Sequence, residues 1–352
     1  MTPRIAPRNR WIGIGGAASL LLVTLILVPA CCCRSAAIVA APASHPPPIG
    51  AVSFAIPPEA SAKGPTAAQM ANVAFHLDPI LFLDIRSLRG EMVAKEPGAP
   101  VNFDDKHSFV MRIDTAVIGM SSASLDQLMN GYVFAYPNPA LRDLHIMMEG
   151  NQLRQEGVMH KVVDLPFTMW ADVSVSDGMI RLHPTKIDIC GINGLGLLKA
   201  VGMTLEKMLS IPEGRGVRAE GNDLLIDPAR VLPPPAVELR LVEARVEGAE
   251  LVQVYDAGRN LEPILPPHAE ERNYMYFRGG TLRMGKLMML DADMQVVDTD
   301  PADPFDFFLD RYNEELAAGF TRNQLDYGLL VFMRDFADLG APRRPGERVA
   351  SE

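Results

Sequence analysis

The stretch PFTMWADVSVSDGMIRLHP, Pro166 to Pro184, alternates apolar and polar side chains with the two-residue period of a half-buried β-strand. One face of its first half carries Met169, Ala171, Val173 and Val175, and the other carries Asp172, Ser174 and Ser176. The alternation stops at Ser176–Gly178, and Asp-Gly is a frequent pair in tight hairpin turns. The stretch therefore predicts two antiparallel strands joined by a short turn.

Several other segments repeat this strand pattern. A strand is predicted in FVMRIDTAV (109–117), and a hairpin in residues 141–163 turns at Glu149–Asn151. Residues 237–256 predict a further hairpin with a turn at Glu247-Gly248. Its apolar phase slips between Leu241 and Val242, which indicates a β-bulge. Residues 274–298 show the same strand pattern, so most of the chain is predicted to form an antiparallel meander.

Three segments have helical spacing instead. SASLDQLMNGYVFA (122–135) follows a serine cap, and GLGLLKAVGMTLEKMLS (194–210) places leucine and methionine along one side. A third helix is predicted to begin at Pro304 and end at Gly319. The predicted fold class is α+β, with a long curled antiparallel sheet wrapped on one or two lengthwise helices and a further C-terminal helix.

The N-terminus has the layout of an export signal. Arg4, Arg8 and Arg10 precede an apolar run over 11–29. That run is close to the length that spans a bilayer, so an uncleaved anchor stays open as an alternative. Val28–Cys31 resembles the lipobox of bacterial lipoproteins and implies lipidation of Cys31, although Pro29 departs from the usual pattern.

The domain organisation follows from composition. We predict a signal or anchor over 1–30, a tether rich in Pro and Ala over 31–66, a folded α+β domain over 67–340 and a polar tail over 341–352. This order places the folded part on the periplasmic side of a bacterial envelope, held at a membrane. Cys32 stands where a retention aspartate is familiar, so analogy with lipoproteins leans towards the outer membrane.

Composition limits the function classes. The chain has 352 residues, 48% of them hydrophobic, and a formal net charge of −10. This acidic balance argues against nucleic acid, whose phosphates need a basic face. It also argues against electrostatic attraction to anionic lipid, so the link to a membrane is assigned to the N-terminus. Cys190 is the only cysteine beyond Cys31–Cys33, so no disulfide scaffold is expected and its thiol is predicted to be buried.

Residues 130–187 carry a resemblance to a known family. The chain resembles the tubular lipid-binding superfamily, and within it bacterial LmeA-like exported proteins. The likeness rests on Asn130 and Phe134 at the end of a helix, on a hairpin at Leu153–Gly157, and on 163–167, Asp177-Gly178 and 180–184. It covers about half of the folded part. The resemblance implies a groove between helix and curled sheet that holds acyl chains.

Six residues are predicted to line such a groove, and the alternative that they form a closed core stays open. Methionine is flexible and polarizable, which suits a surface that receives variable apolar shapes, and this chain has 19 of them. The predicted lining residues are Leu128, Tyr132, Met169, Leu198, Leu205 and Met208.

No motif in the sequence predicts a catalytic residue, a metal site or a cofactor. Gly191 and Gly196 have the spacing of a phosphate loop, but Leu197-Leu198 stand where Lys and Ser/Thr are required. The turn Gly119–Ala123 resembles a hydrolase nucleophile elbow without its final glycine. The acidic run at 298–303 lacks the glycine and glutamate of a calcium loop and is predicted to be a solvated turn.

These observations favour a non-enzymatic, membrane-tethered envelope protein that binds or carries a lipid or another long apolar ligand. One alternative is a structural or assembly lipoprotein whose sheet edges pair with protein partners. The other is a serine hydrolase that uses Ser121 or Ser122 in the Gly119 turn.

Overall fold

The computed structural model describes residues 64–160, 163–324, 328–344 and 346–350, apart from the side chains of 197–199 and 201. These residues lie in one compact unit, 57–352, which contains every described strand and helix together with their hydrophobic core. A fragment that begins at Pro57 therefore keeps the complete core and is expected to fold on its own. The predicted leader, the tether up to residue 63 and the Cys31 lipidation site lie outside the described residues.

The described part is mainly β-structure, with 51% of residues in strands and 12% in helices. The strands are β1 Thr66–His76, β2 Phe82–Ala94, β3 Val101–Asn102, β4 Phe109–Ser121, β5 Leu141–Glu149, β6 Gln152–His160, β7 Asp164–Ser176, β8 Met179–Ile189, β9 Ile192–Asn193, β10 Val217–Glu220, β11 Asp223–Ile226, β12 Ala236–Glu238, β13 Leu241–Glu247, β14 Glu250–Asp256, β15 Tyr274–Arg278, β16 Thr281–Met284, β17 Leu287–Leu290, β18 Asp293–Asp298, β19 Phe305–Phe308, β20 Phe320–Asn323 and β21 Leu329–Met333. The α-helices are α1 Ser122–Leu128, α2 Gly194–Val201, α3 Leu205–Met208, α4 Pro228–Val231 and α5 Tyr312–Ala318, and a π-helical turn (Met129–Val133) and a 3₁₀ turn (Phe336–Asp338) complete the list.

The strands form three sheets. An eleven-stranded sheet has the order β13-β14-β4-β2-β1-β15-β18-β21-β20, with β12 added beside β4 and β19 beside β1. A seven-stranded sheet has the order β10-β11-β8-β7-β6-β5, with β9 beside β8. A three-stranded sheet, β17-β16-β3, completes the set. The middle of the chain thus builds the second sheet, and the two ends of the described chain build the first.

The strand predictions are confirmed in several places. The hairpin β7–β8 pairs Ser176 with Met179, and Asp177 and Gly178 both take positive φ values, 50° and 74°. A turn with two left-handed residues matches the twist of the flanking strands, which is why Asp-Gly is favoured there. The turns at Gly150 and Gly248 also join antiparallel pairs, and the β13–β14 register shifts between Leu241 and Glu243, as the bulge prediction requires.

The predicted fold class is wrong. The described helices are at most eight residues long, and the sheets do not curl around any of them. The helix predicted over 194–210 consists of α2 and α3, because Gly202 between them takes a left-handed φ of 65°. Its apolar spacing is real, but a residue in the left-handed region ends an α-helix. The molecule is therefore a mainly β-protein with short connecting helices.

The third predicted helix is also wrong in its first half. Phe305–Phe308 is strand β19, which runs parallel to β1 with Val73 opposite Phe305. Phe305 and Phe307 are fully buried, because the strand alternation turns both rings inward. Only Tyr312–Ala318 is helical, and it ends at Gly319 as predicted.

The interior has an aromatic part and an aliphatic part. Phe103 packs with ring-centroid distances of 6.1, 5.5 and 5.9 Å against Phe109, Phe277 and Tyr312, and we call these four residues the aromatic cluster. Elsewhere the interior between the two large sheets is filled mainly by Leu, Ile, Val and Met.

The predicted burial of Cys190 is wrong, since this residue lies exposed in the turn after β8 with a φ of 53°.

Candidate functional site

A cavity lies between the two large sheets, in the aliphatic part of the interior. The cavity volume is about 80 Å³, inside a wider apolar region of about 930 Å³ that includes open solvent. We call it the main cavity. Its lining comes from β1, β2, β4, β12 and β14 of the first sheet, from β8 and β11 of the second, and from α1, the π-helical turn, α4 and the chain that follows α4. The lining residues are Met70, Phe75, Leu77, Leu83, Ile85, Leu88, Met111, Ile113, Ile118, Met120, Leu125, Leu128, Met129, Ile180, Ile226, Pro228, Val231, Leu232, Pro233, Pro235, Val237, Leu239, Leu251, Gln253 and Tyr255.

Two smaller cavities continue the main cavity along the interior. The middle cavity has a volume of about 30 Å³ and shares Leu125, Met129, Ile180, Ile226 and Leu251 with the main cavity. The end cavity has a volume of about 20 Å³ and shares Leu141, Gln155 and Leu224 with the middle cavity. Because neighbouring cavities share lining side chains, the three lie next to one another in a row through the interior.

One side of the main cavity is covered by a crossing segment, residues 227–239, which we call the strap. At its first end the backbone N–H of Asp227 donates to Gly216 O (2.7 Å), and its carboxylate accepts from Ala229 N (3.0 Å). At its second end β12 pairs in parallel with β4. Between these anchors lie Pro233–Pro235, which have no N–H to donate. The middle of the strap is therefore held mainly by apolar contact with the cavity.

The lining of all three cavities contains no charged side chain and three polar ones, Gln253, Tyr255 and Gln155. Tyr255 Oη donates to Gln253 Oε1 (2.6 Å), and burial raises the pKa of the Tyr255 hydroxyl above its ordinary value. Both residues lie on β14 and are 3% exposed. Gln155 on β6 is 6% exposed. Among the described residues, no acceptor is found for the Gln253 amide N–H groups and no partner at all for the Gln155 amide.

The six predicted lining residues fall in different places. Leu128 lines the main cavity, and Met169 and Leu205 line the end cavity. Met208 is half-buried against the core, and the side chain of Leu198 lies outside the described residues. Tyr132 donates to Asp78 Oδ2 (2.5 Å), and burial together with Asp78 raises its pKa to about 12.

The sequence reasoning missed the strap and the polar lining residues. A signal for the glutamines was present, because strand alternation puts Gln253 on the same face as Leu251 and Gln155 on the same face as Leu153. A glutamine on an apolar strand face is unusual, since buried amides need partners. The strap had only the proline cluster at 233–235 as a signal, and prolines mark a break without showing what the chain crosses.

The acidic run identified in the sequence belongs to a cluster of two buried carboxylates, Asp298 and Asp335, and one exposed carboxylate, Asp303. Carboxylate oxygens of Asp298, Asp303 and Asp335 lie within 4.8 Å of one another, so these residues could hold a metal ion. Burial, reinforced by Asp335, raises the pKa of Asp298 to about 8. The prediction of a solvated turn is wrong for Asp298 and Asp300, which are 1% and 8% exposed, whereas Asp303 is exposed. Arg344 already pairs with Asp303 (3.2 Å), which supplies one positive charge to the group.

The turn at Gly119–Ala123 joins β4 to α1. Ser121 caps α1, since its Oγ accepts from Ser124 N (3.2 Å), and Ser122 Oγ lies 3.3 Å from Met148 Sδ. In the described part of the chain, no histidine forms a hydrogen bond with either serine. A hydroxyl without a base is a weak nucleophile, so the hydrolase alternative gains no geometric support.

Within the described ranges, no helix has the length and hydropathy needed to cross a bilayer. Comparison of the chain with family models, with curated proteins and with solved structures found no match. The resemblance to the tubular lipid-binding superfamily therefore stays a prediction, and the curled sheet and lengthwise helix that it implied are absent from the described fold.

Proposed function

We propose that this chain is a membrane-tethered envelope protein that binds or carries a long apolar ligand, such as a lipid acyl chain, in the row of cavities between its two large sheets. The observation that carries the proposal is the continuous apolar lining of the three cavities, without a charged side chain. Envelope location and membrane attachment rest on the sequence pattern of residues 1–66.

Physical chemistry supports an acyl chain as the ligand. Burial of methylene groups releases about 0.8 kcal/mol each, before association and ordering costs are subtracted. Four methionines, Met70, Met111, Met120 and Met129, line the main cavity, and their flexible side chains suit ligands of variable shape. In this proposal the ligand enters beside the strap, because the prolines in its middle donate no backbone hydrogen bonds that movement would have to break.

Mass spectrometry of a solvent extract tests the proposal. The fragment 57–352 would be purified from bacteria without detergent, since detergent tails would compete for the cavities. We expect phospholipid, fatty ester or a similar long-chain lipid at about one molecule per protein. The matched variants are Leu128→Phe, which fills the main cavity, and Leu282→Phe, which makes the same change at a buried site outside the three cavities. A well-folded wild-type fragment without lipid contradicts the proposal.

A second candidate function is assembly with a protein partner. It is favoured by β17, an outer strand of the three-stranded sheet, on which Leu287, Met288 and Leu290 are 39, 51 and 49% exposed. An exposed apolar edge strand is a template for pairing with another chain. Under this alternative Leu290→Lys releases the partner and the purified fragment contains no lipid, whereas under the cavity proposal the same variant keeps its lipid.

A further inference from the structure

The polar side chains that line the cavities indicate which chemical groups a ligand should carry. Gln253 and Gln155 are more than nine-tenths buried, and they lie at two points along the row: Gln253 in the main cavity and Gln155 where the middle and end cavities meet. A buried amide that makes no hydrogen bond costs free energy, so nearly all buried side-chain amides in proteins have partners. The amide atoms of Gln253 and Gln155 that have no partner among the described residues are not fully enclosed by protein, so they border the cavity space, where a ligand atom can hydrogen-bond to them.

Gln295 shows that another buried glutamine of this protein does have hydrogen-bond partners within the protein. Gln295 on β18 is fully buried, and both polar atoms of its amide group have a partner: Oε1 accepts from His268 N (2.9 Å) and Nε2 donates to His268 O (3.0 Å). A glutamine with a structural role is held from both sides. Gln253 has only Tyr255, and Gln155 has no partner among the described residues.

The absence of charge in the lining limits what the glutamines can receive. No Lys, Arg or His lines the three cavities, so a carboxylate or phosphate placed inside would be a buried, unpaired charge. An amide N–H donates well to a neutral carbonyl or hydroxyl oxygen, and the amide oxygen accepts from a hydroxyl. The site can thus satisfy neutral oxygen atoms and cannot compensate an anion.

We propose that the ligand is an uncharged long-chain lipid whose neutral oxygen atoms, ester carbonyls or hydroxyls, are bound inside the cavities by Gln253 with Tyr255 and by Gln155. This inference rests on the proposed function, because it names the chemistry that the same cavities select.

Competition binding tests it with the fragment 57–352, freed of lipid by solvent washing and loaded with a fluorescent apolar reporter. Four probes of equal chain length would displace the reporter: hexadecane, 1-hexadecanol, methyl palmitate and hexadecanesulfonate. We expect methyl palmitate and 1-hexadecanol to bind about tenfold more tightly than hexadecane, which is the effect of one or two hydrogen bonds in a dry site. We expect hexadecanesulfonate, a permanent anion, to bind at least tenfold more weakly than the ester.

Variants assign the selectivity to the glutamines. Gln253→Leu and Gln155→Leu should each reduce the preference for methyl palmitate over hexadecane about threefold to tenfold while hexadecane binding is retained. Gln155→Leu should leave the melting temperature of the lipid-free fragment unchanged or higher, since it removes an amide without a protein partner among the described residues. Gln253→Leu is combined with Tyr255→Phe, because the buried Tyr255 hydroxyl would otherwise lose its acceptor and lower the melting temperature. Gln295→Leu is the matched control, which should lower the melting temperature and preserve the preference.

The outcomes separate the two proposals. If no probe displaces the reporter, or the reporter itself does not bind, the cavity function fails and this inference fails with it. If hexadecane and the anion bind as well as methyl palmitate, the cavities bind apolar chains without the selectivity inferred here, and only this inference is overturned. The same conclusion follows if the preference survives both glutamine substitutions.

Discussion

The aromatic cluster and the main cavity are both built from buried apolar side chains, but they differ in packing and in composition. In the aromatic cluster, Phe103 meets three rings at 5.5–6.1 Å, and two of the three contacts are edge-on. The main cavity is lined chiefly by Leu, Ile and Met, with a volume of about 80 Å³ between them. The rings of the aromatic cluster contact one another directly, whereas the aliphatic chains that face each other across two sheets leave this space between them. Burial alone therefore does not distinguish core from site.

The largest expected effect comes from opening the aromatic cluster. Phe277 is fully buried, and its ring lies 5.5 Å from that of Phe103. Phe277→Ala should lower the free energy of unfolding by about 4 kcal/mol, because it leaves a void among rings that cannot collapse. Leu128→Ala, beside existing space, should cost only about 2 kcal/mol. Urea unfolding followed by circular dichroism measures both, and equal costs would contradict the difference in packing.

A larger side chain should cost more stability at a packed buried site than in the lining of the main cavity. Leu282→Phe places a larger side chain at a 1% exposed site outside the three cavities and should cost about 1–3 kcal/mol. Leu128→Phe has the main cavity to grow into, so its cost should be below about 1 kcal/mol. The same urea measurement on lipid-free fragments decides the point. A cost for Leu128→Phe as large as that for Leu282→Phe would show that the space is not available to a side chain.

The acidic cluster should make the stability of the fold depend on pH. The cavity lining, which has no charged side chain, should not add to this dependence. The pKa of Asp298 rises from 3.8 in the unfolded chain to about 8 in the folded state, through burial and then the neighbouring Asp335. Between these values the folded state keeps a proton that the unfolded state has released, so stability falls as pH rises from about 4 to about 8. In Asp298→Asn this contribution is absent.

Unfolding at pH 5, 7 and 9 measures the effect. Relative to the wild type, Asp298→Asn should gain roughly 1–2 kcal/mol of stability between pH 5 and pH 9. Some pH dependence should remain in the variant, because burial also raises the pKa of Asp335 to about 7 and that of Glu315 to about 9. Parallel pH profiles for variant and wild type would show that Asp298 is ionised in the folded state.

The smallest expected effect concerns Tyr132, which was predicted to line the groove. Its hydroxyl donates to Asp78, whose carboxylate also accepts from Gln127 (2.8 Å) and from the backbone N–H of Leu81 (2.7 Å). Tyr132→Phe should therefore cost only about 0.5–1 kcal/mol, since Asp78 keeps other donors. The lipid content of the fragment should not change. Loss of lipid without loss of stability would place Tyr132 in the ligand path instead.

Local features of the sequence predicted local features of the fold. Asp177-Gly178, Gly150 and Gly248 are turns in the structure, the bulge falls at Leu241–Glu243, and Gly319 ends α5. Each of these depends on the conformational preference of one or two residues or on strand alternation, which act within a few positions of the chain. The same local rules failed at 305–308, where pairing with β1 made a strand of a segment with helical spacing.

The sequence by itself determined that the chain alternates into antiparallel strands, where most hairpins turn, and that no charged motif for catalysis or nucleic acid is present. Only the tertiary structure decided that two separate sheets enclose the apolar space, since the two sheets are built from segments far apart in the chain. Leu128 could be named in advance as an apolar residue on a helix face. Gln253, Gln155 and the strap could not be assigned a role, because the meaning of a buried amide depends on whether a partner lies opposite it, and that is a property of packing between distant strands.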